Sequence, residues 1–298
     1  MKLQKIGEAV VKFVLRKCSP KLLFSLQYYK TYGQFLNYKN PQSFYEKIGY
    51  LEFYSDTTKW SELADKIAVR DYIKEKGLGE MLTNLLGVYN LSSEIDYDKL
   101  PTSFVLKTNH GSATNIFVGD KNTIDKEAVG KQLDDWLKID FGYNGAQPHY
   151  SKIKPMILAE GLLMDDETTK KGKMLHDYKY YCINGEPRFI QIIKDREPNT
   201  HDYNIMVYDM NWNVHPEFVS KLHNKATIDD NPPIAFEEMK KAAKVLSEGF
   251  PFVRVDFYQI NGKPIFGEMT FTPGLDSMTQ AFFDLIGREL NIERYLKK

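Results

Sequence analysis

The sequence predicts an α+β fold built on antiparallel sheets, and three observations support that prediction. Two segments share one design: runs 178–183 and 188–193 flank Asn184-Gly185, and runs 252–260 and 265–269 flank Asn261-Gly262. Asn-Gly between β-rich runs marks a hairpin, because both turn residues tolerate positive φ. Beyond residue 100 the strands follow one another as neighbouring hairpins rather than alternating with helices, which argues against a doubly wound parallel sheet. The chain has 298 residues, 42% of them apolar, which is enough for a sizeable core in one large or two modest domains.

The elements follow in order. Ile6, Val10, Phe13 and Val14 recur at helical spacing with Lys5, Lys12, Arg16 and Lys17 between them, and Ser19-Pro20 stops that helix. A second apolar stretch carries Leu22, Leu23, Leu26 and Tyr29. Residues 1–40 hold eight Lys/Arg against Glu8 alone, a net charge of +7. Two readings are open: a helical lead-in packed on the body, or a basic amphipathic pair lying on an anionic membrane surface. A helix is expected over 61–76, with Ser61 as N-cap and Gly77 and Gly79 at its end. Past Leu100-Pro101, runs 104–106 and 116–118 read as strands around a Gly/Ser-bearing turn. Residues 123–139 read as helix, 156–163 as a strand, and 234–248 and 279–290 as helices around the second hairpin.

Composition excludes several classes. With 40 basic and 40 acidic residues, no global charge draws the chain to nucleic acid, and no nucleic-acid partner is expected. Cys18 and Cys182 make neither a disulfide framework nor a metal spacing, and fit a reducing compartment. No apolar run approaches the roughly 20 residues of a membrane span, and Lys12, Arg16 and Lys17 interrupt what would be a signal-peptide core. The expected location is cytoplasmic, with the inner face of the membrane as the site of any peripheral association.

Three constellations could carry chemistry. Lys107 ends a strand and opens the polar loop Thr108-Asn109-His110-Gly111-Ser112-Ala113-Thr114. Backbone N–H groups of such a loop can cradle phosphate oxygens beside the lysine charge, although a plain hairpin with an exposed lysine reads the same way. Arg254 and Asp256 lie on one predicted strand, with Glu268 and Thr270 on the returning one. Converging carboxylates need a cation, and their hard oxygens suit Mg²⁺. A regular two-residue turn would put Asp256 and Glu268 on opposite faces, so a shared site requires one irregularity in this hairpin. Glu160, Asp165, Asp166 and Glu167 sit in or just beyond an apolar strand and could accept bonds from ribose, or form an ordinary charged loop. The six histidines show no metal spacing, and no Gly-x-Ser-x-Gly elbow occurs.

In their order these pieces resemble the ATP-grasp superfamily and, more closely, the TupA-like ATP-grasp family, named for a teichuronopeptide biosynthesis protein. The resemblance is carried by Leu63-Ala-Asp-Lys66-Ile-Ala-Val-Arg70-Asp-Tyr, Leu100-Pro-Thr-Ser-Phe-Val-Leu-Lys107-Thr-Asn-His-Gly111, Asp177-Tyr-Lys179, Arg254-Val-Asp256 and Phe266-Gly-Glu268-Met-Thr-Phe-Thr-Pro-Gly274. It implies two α+β subdomains gripping ATP, preceded by a helical lead-in. The implied divisions are a basic N-terminal segment 1–58, a short region 59–100, a small lid subdomain 101–163 and a large subdomain 164–298 with the metal site.

It further implies that Lys66, Arg70 and Lys107 serve the nucleotide, with the loop of His110, Gly111 and Ser112 closing over its phosphates. Glu160 and Leu163 would sit at the adenine and Glu167 near the ribose. Asp256, Glu268 and Thr270 would hold Mg²⁺, with Thr270 standing where many relatives place Asn. Arg254, Lys179 and Arg196 would neutralise charge during catalysis. The implied activity is ADP-forming ligation of a carboxylate to an amine through an acylphosphate, with glycan-linked substrates in cell-surface polysaccharide synthesis. The rival readings are a kinase or sugar transferase of the same pathway, and a non-catalytic ATP-binding protein.

Overall fold

The computed structural model describes residues 19–165, 174–197, 202–274 and 276–296. The first predicted helix, up to Lys17, and Asp166 and Glu167 therefore lie outside the described residues. Helix α1 (Pro20–Tyr32) opens on Ser19, whose hydroxyl accepts from the Leu22 amide, and closes on Gly33 at φ 72°. The Ser19-Pro20 pair thus starts the second helix as well as ending the first pattern, which is the usual place for proline. Helix α2 (Phe44–Tyr54) begins with a capping box between Ser43 and Glu46 and was not foreseen. Aromatic residues hide it from periodicity: Phe44, Tyr45, Tyr50, Phe53 and Tyr54 ring a short helix on nearly every side.

The expected 61–76 helix is two helices, α3 (Thr58–Ala64) and α4 (Val69–Glu75). The break has a cause. Asp65 turns extended, and its carboxylate accepts from the Ile67 amide at 2.8 Å and from Asn109 Nδ2 at 2.9 Å. Ser61 is not the N-cap; it lies inside α3, and its hydroxyl donates to the Thr57 carbonyl.

A four-stranded antiparallel sheet follows, in the order β1 (Leu85–Tyr89), β4 (Ile157–Gly161), β2 (Phe104–Thr108), β3 (Asn115–Val118). Strand β1 was not foreseen. Alternation divides the faces. Phe104, Leu106, Val118, Ile157 and Ala159 pack against Leu133 of helix α5 (Lys126–Leu137), which the short helix α6 (Phe141–Gly145) follows, and form a core separate from the main one. Val105, Lys107, Leu158 and Glu160 point to the other face.

The second sheet has six strands, ordered β10 (Lys263–Thr270), β9 (Phe252–Ile260), β5 (Asp177–Ile183), β6 (Glu186–Lys194), β7 (Asn204–Asp209), β8 (Asn224–Lys225), antiparallel except for β7 with β8. Both Asn-Gly hairpins form as expected. On one face Tyr180, Val255 and Phe257 meet Met239, Ala243 and Leu246 of helix α7 (Phe236–Ser247), and all are fully buried. On the other, Tyr181 and Phe189 meet Phe282 of helix α8 (Gln280–Glu289) at 5.0 and 5.4 Å between ring centroids. Tyr180 and Tyr181, next to one another in sequence, thus pack fully buried on opposite faces of this sheet. The same face continues through Arg254, paired in register with Tyr181, to Lys179 opposite Asp256.

Candidate active site

The small sheet presents a buried carboxylate held by cations. Glu160, 6% exposed, accepts from Lys107 Nζ at 2.7 Å, from Arg70 Nη1 at 3.0 Å and from the Thr83 hydroxyl. Burial alone would raise its pKa; Lys107, the bonds from Lys107 and Thr83, and Arg70 together hold it below the ordinary carboxylate range. Arg70 is buried, and its guanidinium also donates to the Thr83 carbonyl at 2.6 Å. Arg70 thus fixes Glu160, and Lys107 remains the more accessible of the two cations.

The loop after Lys107 is tied down at both ends. Thr108 and Thr114 bond hydroxyl to hydroxyl at 2.8 Å, and Asn109 Oδ1 takes the Met156 amide at 2.7 Å. His110 is buried, with Nε2 3.0 Å from the Ile139 carbonyl. Gly111 must be glycine, since a Cβ there would lie 2.4 Å from the Phe141 ring. Ser112 and Ala113 at the tip are exposed, and Ala113 takes φ 58°. Lys66 reaches this loop: its amide bonds the Asn109 carbonyl, and its Nζ donates to the Gly111 carbonyl. Burial lowers the Lys66 pKa; Glu268 opposes that shift, Lys107 adds to it, and Glu160 and Asp65 oppose it. One ammonium therefore feels charges from both sheets.

The large sheet supplies those charges. Lys263 opposes Ile260, so the turn is the regular two-residue form, with Asn261 at φ 51° and Gly262 at φ 75°. The irregularity lies further on. Phe266 opposes Phe257 while Glu268 opposes Asp256, so Gly267 is an extra, bulged residue. A Cβ at Gly267 would sit 3.0 Å from the Asp256 carbonyl oxygen. The bulge turns Glu268 onto the face of Asp256. Arg254 ties them together, donating to Asp256 at 2.7 Å through both Nε and Nη2, and through Nη2 to Glu268 and to the Thr270 hydroxyl at 3.1 Å each. Lys179, directly across from Asp256 in register, donates to its second oxygen. Burial alone would raise Asp256; Arg254 and Lys179 hold it below the ordinary range.

Asp256, Glu268 and Thr270 make a set of hard oxygen donors on one face, suited to Mg²⁺, which completes its octahedron with water and substrate phosphate. Among the described residues no group of three His, Cys, Asp or Glu gathers as a metal centre. The fit rests on two carboxylates and a hydroxyl. Arg196 pairs with Asp177 at 2.8 Å, one rung away. Leu163 follows β4, half-buried beyond Gly161, and Glu167 lies outside the described residues. Sequence reading missed Thr83 and Asp65, which orient Glu160 and the Asn109 loop; neither sits in a pattern that signals chemistry.

The chain is similar to several solved structures. They include D-alanine–D-alanine ligase from Bacillus anthracis (15% identity, 74% of this chain and 59% of that one, TM-score 0.44). L-amino acid ligase from Bacillus licheniformis shows 14% identity over 78% of this chain and 49% of that one, with a TM-score of 0.47. Phosphoribosylamine–glycine ligase from Thermotoga maritima shows 11% over 74% and 52%, with a TM-score of 0.40. The chain thus spans about half to three-fifths of the length of each. No curated protein matches it significantly. A profile of the TupA-like ATPgrasp family matches residues 46–290. That stretch holds both sheets and every charged group from Lys66 to Glu268 just described, so the chain belongs to the TupA-like ATP-grasp family.

Proposed function

We propose that the chain is an ADP-forming, ATP-dependent ligase that joins a carboxylate to an amine, acting on a uronic acid or similar carboxylate of a cell-surface polysaccharide. One observation carries the reading: Lys66 follows helix α3, whose Trp60 stacks at 5.0 Å on Phe271 just past Thr270 of the large sheet, and its Nζ donates to the Gly111 carbonyl in the loop after Lys107 of the small sheet. The segment of Lys66 thus bridges the two sheets.

In this reading Lys66 and Lys107 bind phosphate oxygens, and the His110–Ser112 tip lies over them. Glu160, held by Arg70 and Thr83, and the chain at Leu163 line the adenine. Asp256, Glu268 and Thr270 hold Mg²⁺. ATP supplies the phosphoryl group that activates the substrate carboxylate for displacement by the amine. Arg254 and Lys179 face the charge that develops on that group, where fixed cations stabilise a transition state most effectively. No protein nucleophile is required. Cys182 is unsuited to that role, being fully buried with its thiol pushed up by burial to about 12.

ADP release across pooled amino acids with uronic acid acceptors tests the reading. ADP formed only when both substrates are present supports ligation. ADP formed with an alcohol acceptor that keeps the phosphate would make the chain a kinase instead. The proposed location is the cytoplasmic face of the membrane, with residues 1–40 providing peripheral contact with anionic lipid. No helix among the described residues is long and apolar enough to cross a bilayer.

A further inference from the structure

The large sheet carries a ladder of alternating charge that runs past the proposed metal donors. Glu268, Arg254, Asp256, Lys179, Asp177 and Arg196 follow one another, three anions and three cations. Arg254 joins Glu268 and Asp256, and Lys179 joins Asp256 to Asp177, the latter at 3.7 Å. Arg196 ends the row. Its Nη2 donates to Asp177 at 2.8 Å, and its side chain keeps 24% exposure against 13% for Arg254 and 12% for Lys179.

The end of the ladder is built up beneath that guanidinium. Arg196 lies over the Tyr203 ring at 4.7 Å, and Tyr203 stacks on His223 at 5.0 Å and 19°. Nε2 of His223 is buried with no hydrogen-bond partner. A guanidinium stacked on an aromatic face presents its donors at its edge, in the fork that matches a carboxylate.

Position decides which carboxylate. Asp177 is two residues along β5 from Lys179, about 7 Å at strand spacing, and Arg196 pairs with Asp177 from beyond the end of β6. The reacting carboxylate must lie at phosphate held near Asp256 and Glu268. Its two oxygens are only about 2 Å apart, as C–O bonds of about 1.2 Å allow, so it cannot also reach Arg196. A second, non-reacting group belongs there. In an α-amino acid the nitrogen is two bonds from the carboxylate carbon, about 2.5 Å. A carboxylate anchored on Arg196 can therefore direct its amine back toward the activated carbon.

We propose that Arg196, stacked on Tyr203 and His223, is the subsite for the carboxylate of the amine substrate, so that the amine is an amino acid. The proposal rests on the ligase reading. Its test is equilibrium binding of the twenty standard amino acids and their α-carboxamides to the full chain, with and without Mg²⁺ and a non-hydrolysable ATP analogue. At least one amino acid should bind, with its amide at least tenfold weaker. Arg196→Gln should abolish that preference, and Arg196→Lys should restore part of it. Tyr203→Leu should weaken the acid more than the amide. Melting curves identify any variant that fails to fold. Amides binding as well as acids, no amino acid binding at all, or a preference that survives in a folded Arg196→Gln would each overturn the subsite. Acid-over-amide preference in a chain that binds no nucleotide would sink the ligase reading and leave the subsite standing.

Discussion

Lys107 shows how one residue joins both halves of the functional reading. It is the last residue but one of β2, two residues from the rung of Glu160, and their contact at 2.7 Å brings a partly exposed cation to a buried anion. Replacing it with alanine removes a charge-assisted bond to phosphate worth about 1.5–3 kcal/mol, roughly ten- to hundredfold in ATP affinity. Folding should suffer less, because Arg70 and Thr83 keep Glu160 partnered. Fluorescent nucleotide titration beside a melting curve separates the two, and unchanged affinity would remove Lys107 from the site. Acid should act on the same network. Glu160 and Asp256 both have folded pKa values below the ordinary ones, so the stability they add is complete above about pH 4–5 and is lost as pH falls through the folded values. Melting temperature should therefore drop below pH 4, with a shallower slope in Glu160→Gln; identical slopes would contradict this.

At the scale of the element, the last hairpin was legible down to the need for an irregularity, though not to its place. Asn261-Gly262 signals the turn, and the even spacing of Asp256 and Glu268 requires an extra residue if they share a face. That Gly267 supplies it follows only from coordinates, because a glycine in a strand equally marks a bulge or mere close packing. Gly267→Val would press a branched side chain against the Asp256 carbonyl and disturb the rung. Overpacking of that kind costs about 1–3 kcal/mol of stability, and Mg²⁺-dependent nucleotide binding should weaken with it. Unchanged Mg²⁺ dependence in the folded variant would mean the bulge does not set the site. The 61–76 segment was misread for a different reason. Its periodicity runs on through Asp65, and only the tertiary bond from Asn109 shows why the helix must break.

Helix α1 poses the opposite case, an element with apolar residues on two sides. Leu23, Phe24 and Tyr28 are buried, yet Leu22 and Tyr29 stand 44% and 45% exposed on the outer face, and Phe35, 63% exposed, stacks on Tyr29 at 4.4 Å. With eight basic residues among the first forty, this is the face on which the proposed contact with an anionic bilayer would fall. Replacing Leu22, Tyr29 and Phe35 by serine should weaken binding to anionic vesicles several-fold and leave the core intact, with the difference shrinking in salt. Equal binding by both chains would favour a packed lead-in.

For the whole molecule, the order of motifs along the chain foretold what no single motif could. Lys66, Lys107, Glu160, Lys179, Asp256 and Glu268 come from five separate elements and a connecting loop; Lys107 pairs with Glu160 on the small sheet, while Lys179 and Arg254 pair with Asp256, and Arg254 with Glu268, on the large one. What sequence could not supply was the support behind them, including Thr83, Asp65 and the Arg196–Tyr203–His223 stack, because such contacts are set by packing between distant segments. Asp256→Asn should lower activity in proportion to lost Mg²⁺ affinity, and excess Mg²⁺ should partly restore it; a loss that Mg²⁺ cannot touch would place Asp256 outside the metal shell. Ligation itself is tested most directly by oxygen transfer, using uronic acids labelled with ¹⁸O in the carboxylate, pooled amino acids and ATP. An acyl phosphate passes one carboxylate oxygen to phosphate, so each ADP formed should be matched by one phosphate carrying a single ¹⁸O. ADP accompanied only by unlabelled phosphate, or by phosphate retained on the acceptor, would contradict carboxylate–amine ligation.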